Sequence, residues 1–173
     1  MKEGKPIRLA LTGFMGVGKS SVARHLANRV HSRWIDLDRA IEDSEKMHVA
    51  EIIDSKGIAV YREIETHTLE RVVVDPGSII LSLGGGTWTV GKNRELLKEH
   101  AFESVWLEAT FEHCWLNITF SRKQRPLARD KQQARKLFEE RLKVYCLADL
   151  RFLVRADSTS YEVARQIADE IFA

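Results

Sequence analysis

Gly13-Phe14-Met15-Gly16-Val17-Gly18-Lys19-Ser20 decides the fold. It fits the spacing GxxxxGK[ST], and each fixed position has a physical job. Glycines let the backbone wrap closely enough for its N–H groups to face phosphate oxygens. The helix that follows adds its positive N-terminal end. Lys19 is placed to reach the β- and γ-phosphates of a nucleotide, and the Ser20 hydroxyl to ligate Mg²⁺. Gly13, Met15, Gly16, Val17, Gly18, Lys19, Ser20 and Ser21 are the expected nucleotide-binding residues. The flanks agree with this reading. Ile7 to Leu11 reads as a buried strand, and Ser20 to Val30 as a helix with one core stripe at 22, 26 and 30, with 23 and 27 beside it.

Outward from the loop, apolar runs alternate with helical patterns. Trp34-Ile35 starts a short strand ending in Asp36-Leu37-Asp38, and the pattern is then helical to about Val74, broken near Gly57. Asp75-Pro76-Gly77 is a turn. Ser78 to Leu83 is a buried strand ending at Gly84-Gly85-Gly86, followed by a helix from Gly91 to His100. Ser104 to Leu107 and Phe152 to Val154 are the remaining strands, with helices from Phe111 to Phe120 and up to about Leu147. Thr159 and Glu162 form a capping box for a last helix with the stripe Val163, Ile167 and Ile171. Alternation of this kind predicts an α/β fold in which a parallel five-stranded sheet carries helices on both faces. Ligands then bind beyond the carboxyl ends of the strands, where Gly13, Asp36 and Gly84 all fall.

Composition narrows the class. A chain of 173 residues with 44% hydrophobic and 30% charged residues suits one globular domain. A net charge of +2 is too small to imply a polyanion partner. No apolar run approaches the roughly 20 residues a membrane span needs. The charged start, Met1 to Lys5, leads only into the short run Ile7 to Leu11 and lacks a signal-peptide pattern, so a cytoplasmic location is expected. Cys114 and Cys146 form no CxxC pair and are expected as reduced thiols near the core. The histidines form no HExxH pattern, and no transition-metal site is expected.

Several residues are candidates for an acceptor site. Asp36 and Asp38 stand two apart after a strand, and in extended geometry both project to one side. One could serve the Mg²⁺ hydration shell and the other an acceptor hydroxyl, while Asp38 also suits a helix N-cap. Arg62 and Glu65 are at i, i+3 spacing, which also fits a surface ion pair. Arg141, beside Glu139 and Glu140, also fits a solvated face. Gly84, Gly85 and Gly86 at a strand end suggest close approach of a ligand to backbone. Ser121 to Lys136 holds seven basic residues against Asp130 alone. A nucleic-acid patch and a lid closing on triphosphate both explain that charge, and the lid is favoured because no nucleic-acid motif accompanies it.

Together these pieces resemble the shikimate kinase family, within the nucleoside-monophosphate-kinase-like P-loop proteins. The matching segments run in order along nearly the whole chain: GFMGVGKSS at 13–21, IDLDRAIE at 35–42, YREIE at 61–65, LSLGGG at 81–86, RPL at 125–127 and RLKVY at 141–145. The resemblance implies a three-layer P-loop kinase fold with a mobile lid at about 118–132 and a substrate-binding helical segment at about 38–74 within a single domain, 1–173. It implies phosphorylation of the 3-hydroxyl of shikimate, in aromatic amino-acid biosynthesis, with ATP as co-substrate and Mg²⁺. It assigns Lys19, Asp38 and Arg125 to catalysis and Ser20 and Asp36 to Mg²⁺, Asp36 through water. Asp38, Arg62, Gly84, Gly85, Gly86 and Arg141 hold shikimate in that picture. The expected partner is this small molecule alone, with no nucleic acid and no membrane, and the expected form is a monomer. Another small-molecule kinase, such as a gluconate kinase, or a kinase-like binding module are the alternatives.

The match departs at Ile118, where the family usually carries an arginine packed on adenine. The loop Ala156 to Ser160 also lacks an arginine. Ile118 can pack on a base only by dispersion, so Ile118→Arg is expected to tighten ATP binding. Lys143 stands where relatives often have proline, Ile58 where they often place glutamate, and Tyr61 where they often have phenylalanine.

Overall fold

The structure, a computed structural model, describes residues 5–172. Five strands form one parallel sheet: β1 (Arg8–Thr12), β2 (Arg33–Asp36), β3 (Ile79–Ser82), β4 (Glu103–Glu108) and β5 (Leu150–Leu153), in the order β2-β3-β1-β4-β5. Successive residues of a strand point to opposite faces. Leu9, Ala10 and Leu11 of β1 are all at most 2% exposed, as are Ile79, Ile80 and Leu81 of β3, so the centre of the sheet is covered on both sides. Truncating a side chain such as Leu81 to alanine there costs about 2–5 kcal/mol.

Eight helices supply the cover among the described residues: α1 (Lys19–Arg29), α2 (Leu37–Glu45), α3 (Val49–Lys56), α4 (Ile58–Val73), α5 (Gly91–Glu99), α6 (Phe111–Phe120), α7 (Lys131–Tyr145) and α8 (Ser160–Phe172). The stripe of α1 buries Val22, Ala23, Leu26 and Ala27. It packs along α8, which buries Val163, Ala164, Ile167 and Ala168. The capping box at the start of α8 forms as expected, with Thr159 N donating to Glu162 Oε2 at 2.7 Å and Glu162 N to Thr159 Oγ1 at 3.2 Å.

Two boundaries differ from the sequence reading. The segment 38–74 is three helices, because a second break lies at Lys46, a left-handed residue with φ of 56°. His48 N then donates to Glu51 Oε2 at 2.8 Å to start α3. No glycine or proline marks this break, so only the break at Gly57 was legible. The irregular stretch at the position expected for a lid is shorter at its start, because α6 runs to Phe120 and the stretch covers 121–130. Asp130 closes it by capping α7, accepting from Gln133 N at 2.8 Å.

The cysteines divide: Cys114 is buried, as expected, but Cys146 is exposed, on the last turn after α7. Among the described residues no helix is long and apolar enough to cross a membrane. The carboxyl ends of β1, β2 and β3 lie side by side, which brings the segments after Thr12, Asp36 and Ser82 to one edge of the sheet.

Candidate active site

The loop after β1 is held from two sides. Gly16 has φ of +81°, and a Cβ there would lie 2.5 Å from the Cys114 carbonyl oxygen, so only glycine fits against α6. Asn117 of α6 donates to the Gly16 carbonyl at 2.8 Å. Ile118 packs beside it, with Cγ1 close to Gly16 and 9% of the residue exposed. The position expected to meet adenine is therefore a buried contact between α6 and the phosphate loop. Lys19 opens α1 and folds back over the loop, donating to the carbonyls of Gly13 at 2.8 Å and Phe14 at 3.1 Å. Burial, with Arg125 adding to it, lowers its pKa to about 8, and Asp38 opposes the shift. A polyanion entering the loop would relieve this and draw the ammonium off the carbonyls.

Asp36 ends β2 and is the N-cap of α2, accepting from Arg39 N at 3.1 Å. The cap is thus two residues earlier than the one considered for Asp38. Its other oxygen accepts from the Ser20 hydroxyl and from Ser82 Oγ at 3.0 Å. Asp38 lies in the first turn of α2 rather than in an extended strand, so the expected i, i+2 projection does not occur. The two carboxylates are assigned different neighbours by the helix start. Asp36 faces Ser20, while Asp38 faces Tyr61 and Gly84. Asp38 Oδ2 accepts from Lys123 Nζ of the lid at 2.9 Å.

Arg62 and Glu65 do form an ion pair, at 2.7 Å, but Glu65 is fully buried, which rules out a surface pair. Thr87 Oγ1 donates to the same carboxylate at 2.7 Å. Arg141 is only 6% exposed, so the solvated-face reading fails as well. Gly86 admits both arginines: a Cβ there would collide with the Arg62 guanidinium and lie 2.9 Å from Arg141 NH2. The NH1 of Arg141 is buried without a hydrogen-bond partner, and so is Nε of Arg125. Buried guanidinium donors left free beside a concavity suit an anionic ligand. Tyr145 OH donates to the Gly85 carbonyl at 2.5 Å and Trp88 Nε1 to the Val144 carbonyl at 2.9 Å, fixing α7 against the glycine loop. Burial pushes the Tyr145 phenol up to about 12, so it remains a donor.

One concavity joins these groups: Met15, Asp38, Tyr61, Arg62, Gly85, Gly86, Lys123, Arg125 and Arg141 line it, together with Pro126 and Leu127 of the stretch 121–130. Gly84 stands behind Asp38, and Lys19 is close enough for its charge to respond to Asp38, Arg125 and Arg141. The sequence reading missed Lys123, Glu65, Thr87 and Asn117. Only Glu65 carried a signal, its i, i+3 spacing from Arg62. Among the described residues no group of three or more His, Cys, Asp or Glu could hold a metal ion by itself. Ser20, Asp36 and Ser82 offer oxygens only, the donor type a hard cation such as Mg²⁺ takes alongside phosphates and water.

Comparison with known proteins agrees with this geometry. The family model for shikimate kinase matches residues 15–172. The shikimate kinase of Sulfurihydrogenibium sp. is 35% identical over 161 residues, covering 93% of each chain. That of Streptococcus thermophilus is 39% identical over 162 residues, covering 91% of this chain and 96% of its own. Among solved structures, shikimate kinase from Acinetobacter baumannii in complex with shikimate superposes with a TM-score of 0.89 at 29% identity, covering 98% of this chain and 94% of that one. With a phosphate loop after β1, an acidic turn after β2 and paired arginines over a glycine loop after β3, the chain belongs to the shikimate kinase family.

Proposed function

We propose that the chain transfers the γ-phosphoryl group of ATP to the 3-hydroxyl of shikimate, giving shikimate 3-phosphate for aromatic amino-acid synthesis. One observation carries the substrate class. Arg62 and Arg141 converge over Gly86 with Arg141 NH1 unpaired, and Asp38 stands in the same concavity. A ligand with one carboxylate and several hydroxyls satisfies both ends at once. Two guanidinium forks take the carboxylate, and Asp38 accepts from a hydroxyl.

The other roles follow from position. Backbone N–H groups of the loop from Gly13 to Ser20 hold the phosphates, with Lys19 at the β- and γ-phosphates. Ser20 and Asp36 would hold Mg²⁺, Asp36 through water, and the ion would supply charge neutralisation at the phosphates. Arg125, half-buried with its Nε unpaired and beside Asp38 in the same concavity, is the guanidinium assigned to the transferring phosphoryl. Phosphoryl transfer needs positioning and charge neutralisation more than a strong base, so Asp38 need only orient the acceptor oxygen. The lid at 121–130, already against Asp38 through Lys123, keeps out water that would compete as acceptor.

Calorimetry and turnover together test the reading. Shikimate and ATP should both bind, and ADP should form with shikimate but not with gluconate. Binding of both ligands without phosphoryl transfer would make this a binding module. Turnover on gluconate alone would make it a different kinase.

A further inference from the structure

Tyr61 places a hydroxyl where the chemistry proposed above has no use for one yet. Its ring is buried in α4, with 4% of the residue exposed, and its oxygen lies between two carboxylates. It is 3.4 Å from Asp38 Oδ1 and 3.2 Å from Glu65 Oε2. A phenol has one proton to donate. Glu65 does not depend on it, because Thr87 Oγ1 donates to the same Oε2 at 2.7 Å and Arg62 NH1 to Oε1 at 2.7 Å. Asp38 does. Among the described residues its Oδ1 accepts from Tyr61 alone, and its Oδ2 accepts from Lys123, which belongs to the lid.

Gly84 closes the remaining side of that oxygen. A Cβ at Gly84 would lie 2.9 Å from Asp38 Oδ1, 3.0 Å from Thr87 Oγ1 and 3.3 Å from Glu65 Oε2. Oδ1 therefore faces protein, and Oδ2 is left for the lid or a ligand. Lys123 reaches Asp38 from the irregular stretch 121–130, whereas Tyr61 is fixed in the packed helix α4. Burial and the two carboxylates push the phenol pKa up, so the hydroxyl keeps its proton.

We propose that Tyr61 is a positioning residue: its one hydroxyl proton goes to Asp38 Oδ1 rather than to the already satisfied Glu65, and holds Asp38 with Oδ2 turned to the acceptor hydroxyl. The inference rests on Asp38 being the acceptor-side carboxylate. The consequence is specific. Loss of the hydroxyl leaves the ring, the packing of α4 and the Arg62–Glu65 pair in place, and frees only the Asp38 carboxylate to turn.

Steady-state kinetics on wild type, Tyr61→Phe, Lys123→Ala and the double variant, each with a thermal melt, decide the matter. Wild-type turnover on shikimate separates the two readings: without it the substrate assignment falls and the inference with it, and with it only the variants count. Tyr61→Phe should melt as wild type does, lower kcat roughly three- to tenfold and leave the shikimate KM within about twofold. The double variant should fall below the product of the two single effects, because both donors to one carboxylate are then gone. An unchanged kcat in Tyr61→Phe, an effect on KM alone, or a double variant at or above the product would overturn the proposal.

Discussion

Arg62 and Arg141 meet over the backbone of Gly86, from α4 and α7, so closely that a methyl group there would touch both guanidinium groups. The two arginines lie nearly half the chain apart and meet over one glycine. Arg62→Lys replaces a planar fork with a point charge and removes the 2.7 Å bond to Glu65 as now formed. The shikimate KM should rise roughly tenfold, the effect of losing about 1.4 kcal/mol of binding, with a smaller change in kcat. Gly86→Ala should raise the same KM by displacing both side chains. Initial-rate measurements over a shikimate series check both, and an unchanged KM in Arg62→Lys would return Arg62 to a purely structural role.

Lys19→Ala should lower turnover by roughly 10²–10³-fold or more, the scale of removing one charge-stabilising donor from a transition state. The fold should survive, because the lysine bonds only to the carbonyls of Gly13 and Phe14 in the free protein. Circular dichroism and a thermal melt check the fold beside the assay. Normal kcat would remove Lys19 from the mechanism.

Ile118→Arg was expected to tighten ATP binding, and the packing of α6 reverses that expectation. The side chain fills the contact with Gly16 and is nearly buried. A larger, charged group there overpacks the loop, at a cost of about 1–3 kcal/mol. The melting temperature should fall by several degrees, and the ATP KM should not improve. A variant that melts as wild type and binds ATP more tightly would show that the position faces the base after all.

The cysteines give a test of burial independent of activity. Cys146 is exposed and Cys114 is buried, with burial pushing the Cys114 thiol up to about 11. Iodoacetamide at neutral pH should modify Cys146 alone in the native protein and both in denaturant. The sign of the pH effect follows from the shift. The unfolded Cys114 thiol ionises first as pH rises, so the fold loses stability between about pH 9 and 11 relative to Cys114→Ala. Equal alkylation of both thiols in the native state would contradict the packing of α6 on the loop.

The sheet and the phosphate loop were legible because their signals are local. Ile79 to Leu81 reads as a fully buried strand from its composition, and Gly13 to Ser20 as a phosphate cradle from its spacing. Lys46 was not legible, because a left-handed lysine ending a helix has no sequence signature. Asp36 and Asp38 were found, but their geometry was not, because the helix starts one residue after Asp36 and turns Asp38 away from the strand direction. Glu65, Thr87 and Lys123 escaped notice for a different reason. Thr87 and Lys123 gain their meaning from partners 22 and 85 residues away, which leave no local pattern. The i, i+3 spacing of Glu65 from Arg62 was visible, but its burial was not. The doubt that Arg62 and Arg141 raised as helical surface charges was of the same kind, and burial resolved it.

If the phosphate loop, Asp38 and the paired arginines form one site for shikimate, the purified protein with ATP and Mg²⁺ should release ADP only when shikimate is present. One ADP per shikimate consumed is expected, with a phosphorylated shikimate as product, both lost in Lys19→Ala. ADP formation that is indifferent to shikimate, or none at all with both ligands bound, would contradict that single site.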